Sequence, residues 1–598
     1  MTTAIITAPI PLTAGLAPVA AVRPQRIAEE RRMVLRDGTE LFYRAWLPDA
    51  PAKRAVVLFH RGHEHSGRWQ DLVDEIGLED FAFFAWDARG HGRSPGARGH
   101  AESVGQLVRD ADEFVTRVAA EHGIAMRDIA VLGHSVGAVL AGAWVHDYAP
   151  PVRALVLGSP ALRVRLYVPF AIPGLRLLQK IRPAAEVTSY VKGRLLTRDE
   201  RRRDAYDRDP LITQAISVKV LLGLYDTASR LMADASAITA PTLMLTSGAD
   251  WVVKQSAQRR FFRRLGAGVK EMRVFPGFLH DTFGEKERHL PIAEARRFIL
   301  ERFAEESAAA PVVHNGETFR ALSRPLPWWS AKRLNFAATG FLMKTLGRLS
   351  EGIGLGWRKG FDSGAMLDYV YRNEARGTTP LGRAFDRMFL DSPGWRGIRL
   401  RKHNLEAAIG GAMRRLAGEG RAVRILDIAT GHGRYVLDAM AANPEIPAGA
   451  LLRDWSAENV EAGRRLAVSR NADGVEFEAG DAFDADSIAA VDPNPTLAIV
   501  SGLYELYPDN AAIRASLSGL ARAVAPGGYL VYTNQPWHPQ QELIARVLTS
   551  HRGGDAWIMR CRSQAEMDAL VREAGFEKIA TEIDDGGIFS VSVARRCA

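Results

Sequence analysis

A chain of 598 residues is too long for a single hydrophobic core and calls for two or more domains. With 47% hydrophobic and 25% charged residues it has the composition of an ordinary globular protein. Its two cysteines, Cys561 and Cys597, exclude a disulfide framework and favour a reducing, cytoplasmic setting. The net charge of +9 is modest, and no run is long and apolar enough to predict a membrane span.

The opening residues to Val22 are apolar but broken by Pro9, Pro11 and Pro18, with no basic stretch before them. Residues 1–25 therefore read as a disordered tail and not as a signal peptide. Short apolar runs then alternate with helical stretches: Leu41–Trp46, Ala55–Phe59, Phe81–Trp86, Ile129–Leu132, Ala154–Leu157 and Thr242–Leu245. That alternation predicts a mostly parallel sheet covered on both faces, a domain spanning 26–306. From about 161 to 240 the segments are helical and basic with no strand signal, as expected of a cap over one end of the sheet. Between Arg163 and Arg203 eleven Lys or Arg stand against three Asp or Glu, a local +8. Such a patch is a solvated face or a surface for nucleic acid or an anionic membrane; for the whole chain no nucleic-acid partner is expected.

Gly133-His134-Ser135-Val136-Gly137 follows one predicted strand and opens a helix, the context of a nucleophile elbow. A hydroxyl needs a base and the base needs an orienting carboxylate, which this order of elements supplies after the serine. Asp250 follows strand Thr242–Leu245 and His280 comes 30 residues later, after another strand, so Ser135, Asp250 and His280 are the expected triad. The N–H of Val136 is one expected oxyanion donor, and the loop from His60 to Trp69 should give the other. The histidines His60, His63 and His65 lack the spacing of a metal-hydrolase motif, and no metal is expected. Four motifs in order make residues 30–305 similar to the monoacylglycerol lipase and lysophospholipase group of α/β-hydrolases, also described as serine aminopeptidase-like: His60-Arg61-Gly62-His63-Glu64-His65-Ser66-Gly67-Arg68-Trp69, Asp87-Ala88-Arg89-Gly90-His91-Gly92-Arg93-Ser94, the Ser135 pentapeptide, and the Asp250/His280 pair. The resemblance implies Gly62 N–H as the second oxyanion donor, a lipid-like ester substrate, and a structural role for His60, His91 and His134. Arg61 departs from the family's usual glycine, which would reshape the loop if that position needs a positive φ.

Residues 307–330, rich in Ala, Glu, Ser and Pro, read as a linker. The helical stretch that follows, to about Leu416, is expected to cover a second site within a domain spanning 331–598. A second strand–helix series begins with Val423–Ile428 and a glycine turn, Ala429-Thr430-Gly431-His432-Gly433, and continues through Ala450–Leu452, Val475–Glu478, Leu497–Val500, Tyr529–Thr533, Phe576–Ile583 and Ile588–Val593. Asp454 ends the second strand, where a carboxylate can take ribose hydroxyls, and Asp481 follows the third. This set resembles the class I S-adenosylmethionine-dependent methyltransferases, a Rossmann-like fold. The resemblance implies S-adenosylmethionine as cofactor, with Asp427, Gly431 and Gly433 on its methionine side, Asp454 on the ribose and Asp481 on the adenine. Tyr504 and Glu505, after the fourth strand, are candidates to face a methyl acceptor. The whole-chain expectation is an α/β-hydrolase with a helical cap fused to a methyltransferase, cytoplasmic or peripheral at a membrane. Two alternatives stay open: a serine peptidase on short peptides, and a hydrolase carrying a cofactor-binding scaffold without turnover.

Overall fold

The computed structural model describes residues 2–6, 26–305 and 316–597. They form two compact units divided between Val313 and His314.

The first unit holds a nine-stranded sheet. Its strands are β1 (Thr2–Ile6), β2 (Glu29–Val34), β3 (Glu40–Trp46), β4 (Arg54–Phe59), β5 (Phe81–Trp86), β6 (Ile129–His134), β7 (Ala154–Gly158), β10 (Thr242–Ser247) and β11 (Val269–Phe275), while β8 (Glu186–Thr188) and β9 (Ala215–Ser217) stand apart. The order β1-β11-β10-β7-β6-β4-β5-β3-β2 is parallel except around β3, which runs antiparallel to both neighbours. The central strands are fully buried because helices cover both faces, so they read as continuous apolar runs. On one face Val56, Leu58, Phe83, Leu132 and Val156 pack with Leu72 and Ile76 of helix Gln70–Ile76 and Phe298 and Ile299 of helix His289–Ala304.

Three expectations change here. The tail is not uniformly without structure: Thr2–Ile6, ahead of the first proline, pairs with β11, and residues 7–25 lie outside the described residues. The cap does contain strands, since β8 and β9 form an antiparallel pair too short for a sequence pattern to register. The expected linker also contains a helix, Glu317–Ser323, while residues 306–315 lie outside the described residues.

The second unit carries a seven-stranded sheet of β12 (Val423–Asp427), β13 (Ala448–Asp454), β14 (Val475–Ala479), β15 (Leu497–Val500), β16 (Tyr529–Asn534), β17 (Phe576–Ile583) and β18 (Ser590–Arg596). Its order is β14-β13-β12-β15-β16-β18-β17, with only β18 antiparallel to its neighbours. The chain reverses its direction of growth between β12 and β15, which leaves a crevice at their C-terminal ends, the place where open α/β sheets take ligands. One face packs against Leu405, Ile409 and Met413 of the long helix Pro393–Gly418, the other against Ile513, Leu517 and Leu520 of helix Asn510–Ala523.

Candidate active sites

Ser135 sits where β6 turns sharply into helix Val136–Tyr148, with φ 54° and ψ −110°. This is a sparsely populated conformation for a residue with a side chain and costs about 1–3 kcal/mol, held here by the packed elements on either side. Its N–H donates to Gly158 O at 2.8 Å. The flanking glycines are required by contact: a Cβ on Gly133 would lie 2.7 Å from Ala138 Cα, and one on Gly137 would lie 2.2 Å from Phe59 O.

The Ser135 hydroxyl lies 2.8 Å from His280 Nε2, and His280 Nδ1 lies 2.8 Å from Asp250 Oδ2. All three residues are buried. Burial works to raise the Asp250 carboxyl, but the facing imidazole and the N–H groups of Val252 and Val253, both donating to Oδ1, outweigh it and hold the group below its ordinary value. An ionised Asp250 fixes the tautomer that leaves His280 Nε2 facing the hydroxyl. Sequence reasoning named these three residues, and the fold brings them together from 145 and 30 positions apart. Gly62 and Val136 also meet: a Cβ on Gly62 would be 3.1 Å from Val136 Cγ2. Val136 opens its helix, so its N–H has no partner within the helix.

Arg61 takes a role the sequence did not specify. The left-handed position in this loop is His63, with φ 70°, so no glycine is needed at Arg61. The Arg61 guanidinium is buried, 2.5 Å from Glu64 and 3.5 Å from Asp281, and lies over the Tyr206 ring. It thereby joins the His60–Trp69 loop, the residue after His280 and the cap. Burial lowers the basicity of two neighbouring histidines, to about 3 for His91 and about 4 for His134. His60 spans two loops, contacting Arg61 O at 2.7 Å and accepting from Ala88 N–H at 3.0 Å. A cavity of about 550 Å³ opens beside Ser135, walled by Leu140, Leu166, Leu175, Leu178 and Leu224 among other apolar groups. Among the described residues no carboxylate lines it.

In the second unit the glycine turn follows β12, with φ 59° at Gly431 and 70° at Gly433. A Cβ on Gly433 would lie 2.8 Å from Leu452 Cδ1. Asp454, at the end of β13, accepts from Gly431 N–H at 2.8 Å through Oδ2, and through Oδ1 from Ser456 N–H at 2.9 Å and Asn459 Nδ2 at 3.0 Å. The carboxylate is pre-oriented and retains lone-pair capacity for a hydroxyl donor. Asp481 is exposed and turns Oδ1 back to its own loop at Phe483 N–H. At the end of β15 the buried Ser501 hydroxyl has no partner among the described residues. These features suit a ligand with ribose hydroxyls and other polar groups.

Two expectations fail on geometry. Asp427 does not line the crevice: it is fully buried beneath the turn, takes hydrogen bonds from Tyr435 Oη at 2.6 Å and Ala429 N–H at 3.2 Å, and burial pushes it up to about 7. Tyr504 points into the core, where its hydroxyl lies 3.0 Å from Ser516 Oγ. Glu505, by contrast, faces a cavity of about 120 Å³ beyond the ends of β15 and β16, and pairs there with Arg401 at 3.3 Å. Trp395, Trp557 and Phe589 supply aromatic walls, with Gln535 and His538 as further polar groups. Burial holds His538 neutral by pushing it down to about 4. Helix Gly364–Arg372 lies over the glycine turn, with Gly364 Cα 3.8 Å from where a Gly431 Cβ would stand and Asp368 bonded to Arg434 Nε at 2.6 Å.

Residues 295–596, half of the chain, match the family described as "Putative methyltransferase". The chain belongs to that family. A protein of Escherichia coli (strain K12) with the printed name "Uncharacterized protein YnbC" is 50% identical over 580 residues, covering 96% of this chain and 99% of that one. Residues 50–287 match the family "Serine aminopeptidase, S33". A monoacylglycerol lipase of Mycolicibacterium smegmatis is 29% identical over 268 residues, 44% of this chain and 94% of its own. A crystal structure of Paleococcus ferrophilus monoacylglycerol lipase is similar at 27% identity, covering 44% of this chain and 99% of that chain with a TM-score of 0.40. The first unit is thus an α/β-hydrolase domain related to monoacylglycerol lipases, joined to a methyltransferase-family domain.

Proposed function

We propose that the chain is a bifunctional enzyme, a serine ester hydrolase on lipid-like esters such as monoacylglycerols or lysophospholipids, fused to an S-adenosylmethionine-dependent methyltransferase. The observation that carries the first half is the unbroken row Ser135–His280–Asp250 at 2.8 Å per step. In that reading His280 Nε2 takes the Ser135 proton as Oγ attacks the ester carbonyl, and Asp250 stabilises the imidazolium. Gly62 and Val136 N–H groups hold the developing oxyanion. His280 then returns the proton to the leaving alcohol, and water repeats the cycle on the acyl-serine. The apolar walls of the cavity of about 550 Å³ suit an acyl chain. An aminopeptidase needs a carboxylate to receive a substrate ammonium, and among the described residues none lines this cavity.

The residues of the second crevice fit S-adenosylmethionine. Asp454 would hold its ribose, Gly431 and Gly433 would admit its methionine end, and Asp481 would reach its adenine. Bound there, the cofactor supplies an electrophilic methyl group. The chain's own task is alignment and exclusion of water, and the aromatic cavity beside Glu505 and Arg401 is the acceptor site in this reading.

Mass spectrometry of lipid extracts incubated with the protein, with and without S-adenosylmethionine, tests both halves. Loss of monoacylglycerol that Ser135→Ala abolishes, and a methylated product that needs the cofactor, are the expected results. Undiminished hydrolysis by Ser135→Ala overturns the first half.

A further inference from the structure

Helix Ala331–Thr345 in the second unit has apolar residues on two opposite faces. Phe336, Thr339, Gly340 and Met343, spaced three or four apart, form the stripe turned to the protein; Phe336 and Met343 pack on the core around Trp395 and Trp557, and Gly340 nears Val547. The opposite stripe, Leu334, Ala338, Phe341 and Leu342, is bare: Leu334 is 66% exposed, Phe341 68% and Leu342 56%. Two large aromatics just before the helix, Trp328 and Trp329, are 76% and 70% exposed. Scattered exposed leucines need no account, but contiguous exposed aromatic and aliphatic groups on one element mark an interaction surface.

Charge selects the partner. From Thr318 to Ser350 there are six basic residues, Arg320, Arg324, Lys332, Arg333, Lys344 and Arg348, and no acidic one. Lys332 meets Glu542, yet stays 65% exposed, while Lys344 lies over the Trp357 ring. Arg333 and Lys344 lie together along one edge of the bare stripe on the helical wheel. A cationic edge beside Leu and Phe, with tryptophans at one end, is the pattern of a helix lying in a membrane interface. The helix is 15 residues long, and among the described residues no helix is long and apolar enough to cross a membrane.

We infer that helix Ala331–Thr345, with Trp328 and Trp329, docks the methyltransferase-family unit on an anionic lipid surface. The bare stripe enters the acyl boundary, the tryptophans sit at headgroup level, and the basic residues face lipid phosphates. This surface is separate from the basic cap of the hydrolase and does not depend on the proposed activities.

The test is flotation of the full-length protein with phosphatidylcholine vesicles, with and without phosphatidylglycerol, at low and high salt. Binding should need phosphatidylglycerol and weaken with salt. The double variant Leu334→Glu/Phe341→Glu replaces only exposed groups, so it should keep the wild-type circular dichroism and melting curve while losing at least about tenfold in binding. Lys344→Glu/Arg348→Glu should weaken it by about fivefold or more per residue. Arg201→Glu on the cap should leave this contribution in place. Absence of flotation, or flotation that the folded double variant retains, overturns the inference. A wild-type dimer that the double variant makes monomeric, without vesicle binding, overturns it in favour of a second copy.

Discussion

Gly137 shows how little room the turn around Ser135 leaves. A methyl group there would meet Phe59 O at 2.2 Å and His60 O at 2.4 Å, so Gly137→Ala must push helix Val136–Tyr148 away from β4. We expect a stability loss of about 1–3 kcal/mol by urea unfolding, with slower labelling of Ser135 by a fluorophosphonate; wild-type values in both would contradict the close approach. Arg61 gives a different kind of prediction. Its removal leaves Glu64 and Asp281 buried with their shared partner gone, though Arg68 remains 3.4 Å from Glu64. Breaking a buried pair costs about 3–5 kcal/mol, so Arg61→Met should destabilise by an amount near the lower end because of Arg68, and should reduce kcat on an ester by loosening the Gly62 loop. Arg61→Lys should recover part of both. If Arg61→Met turns over like wild type, the loop does not depend on this clamp.

At the scale of elements, helix Val136–Tyr148 is tied to helix Val218–Ala233 by a buried network. His146 lies 2.7 Å from Asp147 and 2.9 Å from Asp234, and Arg230 also bonds Asp147 through Nη2 at 2.9 Å. Burial opposes the imidazolium, but hydrogen bonds to Asp147 and Asp234 more than offset it and raise His146 above its ordinary value. Burial likewise opposes ionisation of Asp147, but Arg230 and His146 prevail and hold it at about 2. The raised histidine stabilises fully below its unfolded value of about 6.5 and loses that contribution as pH rises through the folded value. The lowered aspartate stabilises above about 3.9 and loses its contribution as pH falls toward about 2. His146→Gln should therefore cost more stability at about pH 5 than at about pH 9; equal costs at both would show that His146 is neutral in the fold.

Elements also differ in how legible they were. Strands buried on both faces, such as Phe81–Trp86, announce themselves as apolar runs because nothing polar is tolerated there. The edge strand Glu29–Val34 is mostly polar because much of it faces solvent, and no apolar pattern marked it. The glycine turns and Asp454 were readable because backbone geometry restricts the residue types at strand ends. Which way Asp427 turns at its strand end, and Tyr504 in the short helical turn after β15, was not, since sequence alone does not fix the phase in which residues there face core or crevice. Arg61 was noticed only as a departure from a family motif; its partners Asp281 and Tyr206 lie far along the chain.

For the whole molecule, two sheets with separate cores and separate crevices lie in two compact units of one chain. That organisation predicts two chemistries that can be disabled independently, and the central claim is that both are present. The most direct measurement is calorimetric titration of the full-length protein with S-adenosylmethionine, alongside fluorophosphonate labelling of the same samples. The wild type should bind the cofactor and label at one serine. Asp454→Ala removes a carboxylate whose charge-assisted bonds contribute about 1.5–3 kcal/mol, so binding should weaken by roughly tenfold or more with labelling intact. Ser135→Ala should do the reverse, abolishing labelling and leaving cofactor affinity unchanged. A folded wild-type protein that labels but does not bind S-adenosylmethionine would contradict the account.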